Sequence, residues 1–315
     1  MRVLVTGGTG FVGSFTAAHF AERGHEVVCF DRKIQPSPEL EAAGTRVSLV
    51  EGDVLNGKKL LETIKDHGIE GIVHAAAVIS QGAGAADPMA TYRINVDGTM
   101  AVLETVRAAG LRMVYVSTAT LYGIHPDLPL HKEDDRIDPV GIYDTTKLMA
   151  ETMAITYHKV YKLDIAAIRP GYIYGPRNST GGYFLDRLYA GEEVEQPVGG
   201  DLPMDVTYVK DVALGIYLAM TVRPIRHRLF NITGGIQRRR GEVAELAGKL
   251  LPGARIHLGP GVPPTAHLRG PSDLTRAREE LGYAPQYTLE TGMAEWLDWL
   301  RRHAQPGFSA DAEKP

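Results

Sequence analysis

Over the first half of the chain, short runs that are apolar throughout alternate with longer stretches in which apolar residues recur every three or four positions. The runs at 2–6, 26–30, 46–50, 71–75, 112–117 and 164–169 predict strands. Several lack the one-in-two alternation of a sheet wetted on one side, which is the pattern of parallel strands covered on both faces. The stretches at 11–23, 88–108 and 143–161 predict the main helices between them. Together they imply an α/β chain built on a doubly wound parallel sheet with right-handed crossovers.

After Pro170 the rhythm loosens. Residues 171–182 are rich in glycine and aromatic side chains, and 252–271 in glycine and proline. Helices are expected at 183–190, 209–222, 241–251 and 289–303, with short strands at 205–208 and 228–232. The division expected is an N-terminal sheet unit, 1–170, and a smaller C-terminal lobe, 171–304, interleaved with it across a soft boundary. Residues 305–315 are small and polar and are expected to fray.

A length of 315 residues, 44% hydrophobic and 23% charged, suits this plan and a core of ordinary size. A formal charge of −4 gives no general attraction to nucleic acid or to an anionic membrane. The sole cysteine, Cys29, permits no intramolecular disulfide. The first strand begins at Arg2, with no room for a signal peptide, and no apolar run reaches transmembrane length, so the cytoplasm is the expected compartment.

Gly7, Gly10 and Gly13 fall between the first strand and the first helix, the context that makes a glycine motif a phosphate cradle. Gly7 permits a tight turn, Gly10 lets backbone amides approach a diphosphate, and Gly13 lets the helix pack closely on the sheet. Asp31 ends the second strand, where a carboxylate accepts from ribose hydroxyls and repels a 2′-phosphate, favouring NAD. Arg32 and Lys33 follow and would instead welcome that phosphate. Asp53, after the third strand, either contacts adenine or caps a helix.

Tyr143 and Lys147, four apart on a predicted helix, share one face. A phenol titrates near ~10, and lowering that by about three units needs roughly 4 kcal/mol of differential interaction. An ammonium beside it, with the positive nicotinamide ring, is the expected source. A phosphate cradle and a proton carrier in one chain describe hydride and proton transfer at a carbinol carbon.

These residues resemble the extended short-chain dehydrogenase/reductases, the superfamily of nucleotide-sugar epimerases and dehydratases, over nearly the whole length. The likeness rests on Thr6 to Gly13, His74-Ala75-Ala76-Ala77, Asn95, Ser117-Thr118-Ala119-Thr120-Leu121-Tyr122-Gly123, Tyr143 with Lys147, and Arg169-Pro170 with Tyr174-Gly175-Pro176. It continues through Val206 to Val212, Phe230-Asn231-Ile232 and Leu281-Gly282-Tyr283-Ala284-Pro285. The resemblance implies a Rossmann unit holding NAD and a lobe holding a sugar-like substrate. It gives Thr118, Tyr143 and Lys147 the catalytic places, the threonine hydroxyl polarising the reacting oxygen.

By the same resemblance Phe11, Val12, Arg32, Val54, Ala75, Ala76, Ala77, Asn95, Ser117, Pro170 and Ile173 join the cofactor site. Ser80, Thr120, Tyr172, Arg177 and Asn178 join Thr118 and Tyr143 at the substrate. It also implies a homodimer paired through helices at 97–108 and 146–161.

Two departures narrow the branch. Family dehydratases carry an Asp-Glu pair after the catalytic threonine, whereas this chain has Ala119 and Thr120, so water elimination is not expected. Many nucleotide-sugar enzymes carry an arginine before the aspartate at position 205; Met204 lacks its charge. Arg177, Arg269 or the run Arg238 to Arg240 could compensate, the run reading otherwise as a solvated helix start. A free sugar, sugar acid or hydroxy acid stands beside a nucleotide sugar as substrate. Epimerase and net dehydrogenase use the same residues, and a noncatalytic dinucleotide sensor is the reading from a different class. His74, at a strand end, reads as structural. His19, His25, His67, His125 and His131 show no metal-ligand spacing, so no metal is expected.

Overall fold

The computed structural model describes residues 1–79, 87–124, 130–178, 184–263, 266 and 270–303. Strand β1 (Arg2–Thr6) shows why its segment is apolar throughout. Val3 and Val5 enter one core cluster and Leu4 enters another. In β2 (Glu26–Asp31), Val27 and Cys29 face one side while Val28 and Phe30 face the other. Successive strand residues point to opposite faces, so a strand with no polar position needs cover on both.

Helix α1 (Phe11–Glu22) leads from β1 to β2. Next come α2 (Pro38–Ala43), β3 (Val47–Glu51), α3 (Gly57–His67) and β4 (Gly71–His74). The segment expected as one helix at 88–108 is α4 (Pro88–Tyr92), a π-helical stretch (Arg93–Asp97) and α5 (Gly98–Ala109). Then follow β5 (Arg112–Val116), α6 (Ile142–Tyr161) and β6 (Ile165–Pro170). Beyond Pro170 lie β7 (Tyr172–Tyr174), α7 (Leu185–Tyr189), β8 (Val194–Gln196), β9 (Pro203–Tyr208) and α8 (Val209–Thr221). The chain continues through β10 (Leu229–Ile232), β11 (Gln237–Arg239), α9 (Arg240–Leu250), β12 (Ile256–Leu258), α10 (Thr275–Leu281) and α11 (Leu289–His303).

The main sheet has seven parallel strands in the order β10-β6-β5-β4-β1-β2-β3. The order reverses at β1, which lies between β2 and β4. The crevice beyond the carboxyl ends of β1 and β4 is where such sheets take ligands. The C-terminal half returns β10 to this sheet beside β6 and lays α8 against α1. It also builds a three-stranded sheet, β11-β9-β7, and a pair, β12-β8. Around these sheets Met293, Trp296, Leu297 and Leu300 of α11 close a second core. Gly292 is required there: a Cβ would stand 2.1 Å from the Tyr174 hydroxyl.

The three-residue strands β7, β8, β11 and β12 and the short α10 were not expected from the sequence. Such elements are too brief to carry a period. Gln237–Arg239 is a short strand paired antiparallel to β9, and the arginine run then opens α9, with Arg239 as its N-cap and Arg240 as its first residue. No described helix is long and apolar enough to cross a membrane.

Candidate active site

The turn from β1 into α1 is built from glycines for two different reasons. Gly7 has φ +65°, and a Cβ on it would meet Ala76 Cα at 2.8 Å. On Gly13 a Cβ would fall 1.9 Å from the Gly7 carbonyl oxygen, so this glycine lets the helix close on its own loop, where packing on the sheet was expected. Gly8, which the spacing argument passed over, is equally constrained, 2.6 Å from Cys29 Cα and from the Val5 carbonyl. Gly10 differs, since a Cβ would meet only the Gly7 carbonyl, at 3.3 Å. A methyl there needs the loop to give by only a few tenths of an ångström, and the open side faces a cavity.

That cavity, about 670 Å³, lies along the carboxyl ends of β1, β2 and β4. Its lining includes the expected Gly7, Gly10, Phe11, Val12, Gly13, Asp31, Arg32, Asp53, Val54, Ala75, Ala76 and Ala77. Lys33, weighed with Arg32 as a partner for a 2′-phosphate, lines it too, as do Thr9, Ile34, Gln35, Pro36, Gly52, Val78, Ile79 and Ile94, which sequence reasoning had not assigned to it. Helix α1 has no side-chain cap at Gly10, and its first-turn amides have no intrahelical acceptor. An uncapped helix start, a glycine with room and a carboxylate at the next strand end fit a dinucleotide diphosphate and its ribose. Asp31 Oδ2 accepts the Thr9 amide at 3.1 Å and the Thr9 hydroxyl at 2.9 Å. Asp53 lines the cavity, while the cap of α3 is Asn56, which accepts from Lys59 N at 3.0 Å. The helix-cap alternative for Asp53 is therefore set aside.

The β4 and β5 ends carry the rest. His74 is fully buried, with Nδ1 2.6 Å from Thr6 Oγ1 and Nε2 3.0 Å from Thr99 Oγ1. Burial, aided by Lys147, pushes it down to about 3. It is a structural link between β1, β4 and α5. Asn95 sits in the π-helical stretch, where the widened turn presents its amide to both neighbours. Its Oδ1 accepts from Val78 N at 2.8 Å, and its Nδ2 donates to Val78 O at 3.1 Å and Thr146 Oγ1 at 3.0 Å. One side chain thus ties the cavity wall to α6.

Helix α6 opens at Gly141, whose amide donates to Asp144 Oδ2 at 3.2 Å. Tyr143 is half-buried in its first turn, and the Thr118 side chain is close enough to favour its ionised phenol. Thr118 begins the short turn Ala119–Tyr122, its Oγ1 accepting from Thr120 N at 3.2 Å and lying 3.0 Å from Thr120 Oγ1. Lys147 is buried, donates to Val116 O at 2.6 Å and stands 4.2 Å from the Tyr115 ring centre. Burial drives it down to about 7, against the pull of Glu151. Tyr143 is held above the ordinary phenol range by burial and then Asp144, with Thr118 opposing.

The phenol lowering expected from a neighbouring ammonium is therefore not seen in the protein by itself. Desolvation disfavours both charged forms, and the lysine nitrogen is turned to the Val116 carbonyl. Val116 takes one of three ammonium donors. Ser117 Oγ is buried and has no hydrogen-bond partner among the described residues. Such orphan groups are what a bound cofactor satisfies.

Below this layer, Glu151, two turns beyond Tyr143 on the same face, pairs with Arg169 of β6. Arg169 Nη2 and Nε reach its two oxygens at 2.5 and 2.9 Å, and both side chains are buried. Arg169 Nη1 also donates to the Tyr122 hydroxyl, fixing the turn behind Thr118.

Asn95, Ser117, Tyr143, Lys147, Pro170 and Ile173 lie outside the cavity lining. Pro170 ends β6, and Ile173 pairs with Thr207 between the two cores. Tyr172, also in β7, pairs with Val206, and Asn178 donates from Nδ2 to Ile173 O at 2.8 Å. Arg177 turns back to the glycine loop, where a place at the substrate was expected. Ser80, His125 and Arg269 fall outside the described residues. Met204 is buried in the second core. Arg238, opposite it across β9, pairs with Glu242 and Glu290. Arg239 pairs with Asp201 and Glu242, and Arg240 bonds Gln196 Oε1 at 2.7 Å.

Residues 3–233 match the NAD dependent epimerase/dehydratase family. The chain is 30% identical to the UDP-glucose 4-epimerase of Mycolicibacterium smegmatis, over 97% of this chain and 100% of that protein. Among solved structures it is similar to the UDP-glucose 4-epimerase of Thermotoga maritima with UDP-glucose, with TM-score 0.87, 25% identity and coverage of 97% and 100%. It is also similar to MoeE5 in complex with UDP-glucuronic acid and NAD, with TM-score 0.83, 28% identity and coverage of 96% and 99%.

Proposed function

The chain belongs to the NAD dependent epimerase/dehydratase family, and from that premise we propose that it is a UDP-sugar 4-epimerase. Support comes from the placing of Thr118, Tyr143 and the buried Lys147 at the end of β5, where Thr118 acts on the Tyr143 phenol, in a chain alignable end to end with a UDP-glucose 4-epimerase. Thr118 hydrogen-bonds the reacting hydroxyl oxygen and Tyr143 carries its proton. Lys147, at about 7, changes charge in the working range, and its positive form favours loss of the Tyr143 proton. Its remaining donors would hold the nicotinamide ribose. NAD, when bound, supplies the carbon that takes up hydride and returns it. The ketone formed at C4 turns over in the cleft between the two steps, so that the opposite face receives the hydrogen.

The first-turn amides of Phe11 and Val12, with Gly10, would receive the diphosphate, and Asp31 the adenosine ribose. Tyr172, Asn178 and Thr120 would border the sugar. Ala119 and Thr120 carry no titratable group, so no acid–base pair for dehydration follows Thr118. The working form is read as a cytoplasmic homodimer, supported by the lone buried Cys29 and by exposed apolar residues on α6.

Incubation with NAD and UDP-glucose, with UDP-glucuronate in parallel, tests the proposal. The 4-epimer should accumulate to equilibrium without net NADH absorbance. Tyr143→Phe should lower kcat at least ~10²-fold while NAD still binds. Unchanged turnover in that variant would remove Tyr143 from the mechanism. One observation favours a second reading, net oxidation of a smaller alcohol: Met204 brings no cation to the lobe. NADH formed mole for mole with oxidised sugar acid, and no epimer from any UDP-sugar, would select it.

A further inference from the structure

Arg177 has φ +67°, a backbone conformation that non-glycine residues adopt only when surrounding contacts hold them there. Those contacts are specific. Nη1 donates to Ser14 Oγ at 3.0 Å and Nη2 donates to the Thr9 carbonyl at 3.2 Å. Glu39 Oε2 lies 3.8 Å from Nη1, and both side chains are 8% exposed. The other carboxylate oxygen, Oε1, accepts from Trp299 Nε1 at 2.8 Å. Arg177 follows β7, Glu39 belongs to α2 and Trp299 to α11, so three segments remote in sequence meet on the outer side of one turn.

The atoms they hold are those that shape the phosphate cradle. The Thr9–Gly10 peptide is fixed at both ends, its carbonyl by Arg177 and its amide by the Gly7 carbonyl at 3.1 Å. With that plane fixed, Thr9 keeps its own amide and hydroxyl on Asp31. Ser14 lies in the first turns of α1, so the guanidinium grips the loop on both sides of the helix start. A buried guanidinium with one partner removed is strongly unfavourable, which makes Glu39 a condition of the grip.

We propose that Arg177, held by Glu39 and Trp299, is a positioning residue for the dinucleotide, so that the C-terminal lobe sets NAD affinity through the outer side of the glycine turn. Its role is indirect: it shapes the backbone that meets the cofactor.

The test titrates cofactor-free protein with NADH by nicotinamide fluorescence, and with UDP by calorimetry, alongside melting temperatures. Arg177→Met should raise the NADH Kd at least tenfold and leave the UDP Kd within twofold. Arg177→Lys should recover part of the loss, since one ammonium serves one of the two acceptors. Glu39→Gln should raise the NADH Kd about threefold, keeping the Trp299 bond but not the charge. If Arg177→Met does not fold, Glu39→Gln and the near-isosteric Trp299→Phe carry the same criterion. An NADH Kd within twofold of the parent, or NADH and UDP affinities falling together, would overturn the proposal. The UDP arm rests on the UDP-sugar reading. Should UDP fail to bind the parent protein, that reading fails, and the NADH arm decides the clasp with melting temperature as its control.

Discussion

The surroundings of Lys147 work against its charge. Burial brings it down to about 7, whereas an unfolded lysine titrates near ~10.4. Between those values the unfolded chain binds more protons than the folded one. Stability therefore rises with pH across that window, by up to ~1.4 kcal/mol per pH unit from this group. Tyr143, held above the phenol range, acts in the opposite sense only above about pH 10. Lys147→Met without added NAD should melt above the parent at pH 7, by a margin that shrinks toward pH 10. A margin independent of pH would show that the lysine is not depressed. The pair itself was legible as two residues four apart. The direction of its shifts was not, because it depends on how deeply the folded chain buries both groups, which no local pattern shows.

Among the elements, the turn into α1 separates two meanings of glycine. Gly13→Ala would drive a methyl into the Gly7 carbonyl, with a predicted loss of several degrees in melting temperature and of NADH binding. Gly10→Ala meets only a 3.3 Å contact, so the apoprotein should melt within about 2 °C of the parent. Its methyl nevertheless projects where a diphosphate approaches, and NADH affinity should fall at least tenfold. Equal melting losses in the two variants would contradict this division. The glycine spacing was readable because strand and helix signals flank it. The interruption of the 88–108 helix was not, since the apolar period continues through the π-helical stretch that aims Asn95. Nor was the clasp of Arg177, Glu39 and Trp299, whose members come from three separate segments.

For the whole molecule, the buried parallel sheet was evident from its apolar runs, because each strand must satisfy two covered faces. The return of β10 beside β6 left no comparable sign: four residues look alike in a sheet's last strand and in a lobe. Outside, α6 exposes Met149, Val160 and Tyr161 at 40%, 61% and 49%. Near them Arg107 of α5 lies 5.4 Å from the Tyr161 ring centre, and Tyr157 donates to Glu104 at 2.6 Å. If two copies pair through α5 and α6, sedimentation should give a dimer, and Val160→Glu should shift it toward monomer without changing the far-ultraviolet spectrum. A parent protein that sediments as a monomer at micromolar concentration would refute that assembly.

The Arg169–Glu151 pair reaches further than anchoring a helix. Glu151 is also the group that raises the proton affinity of Lys147, so one carboxylate answers to two cations. Loosening Arg169's grip would hand more of that negative field to the lysine and move its midpoint upward. The protonation of Lys147 would thus be tuned from underneath, by a buried arginine on a strand of the main sheet.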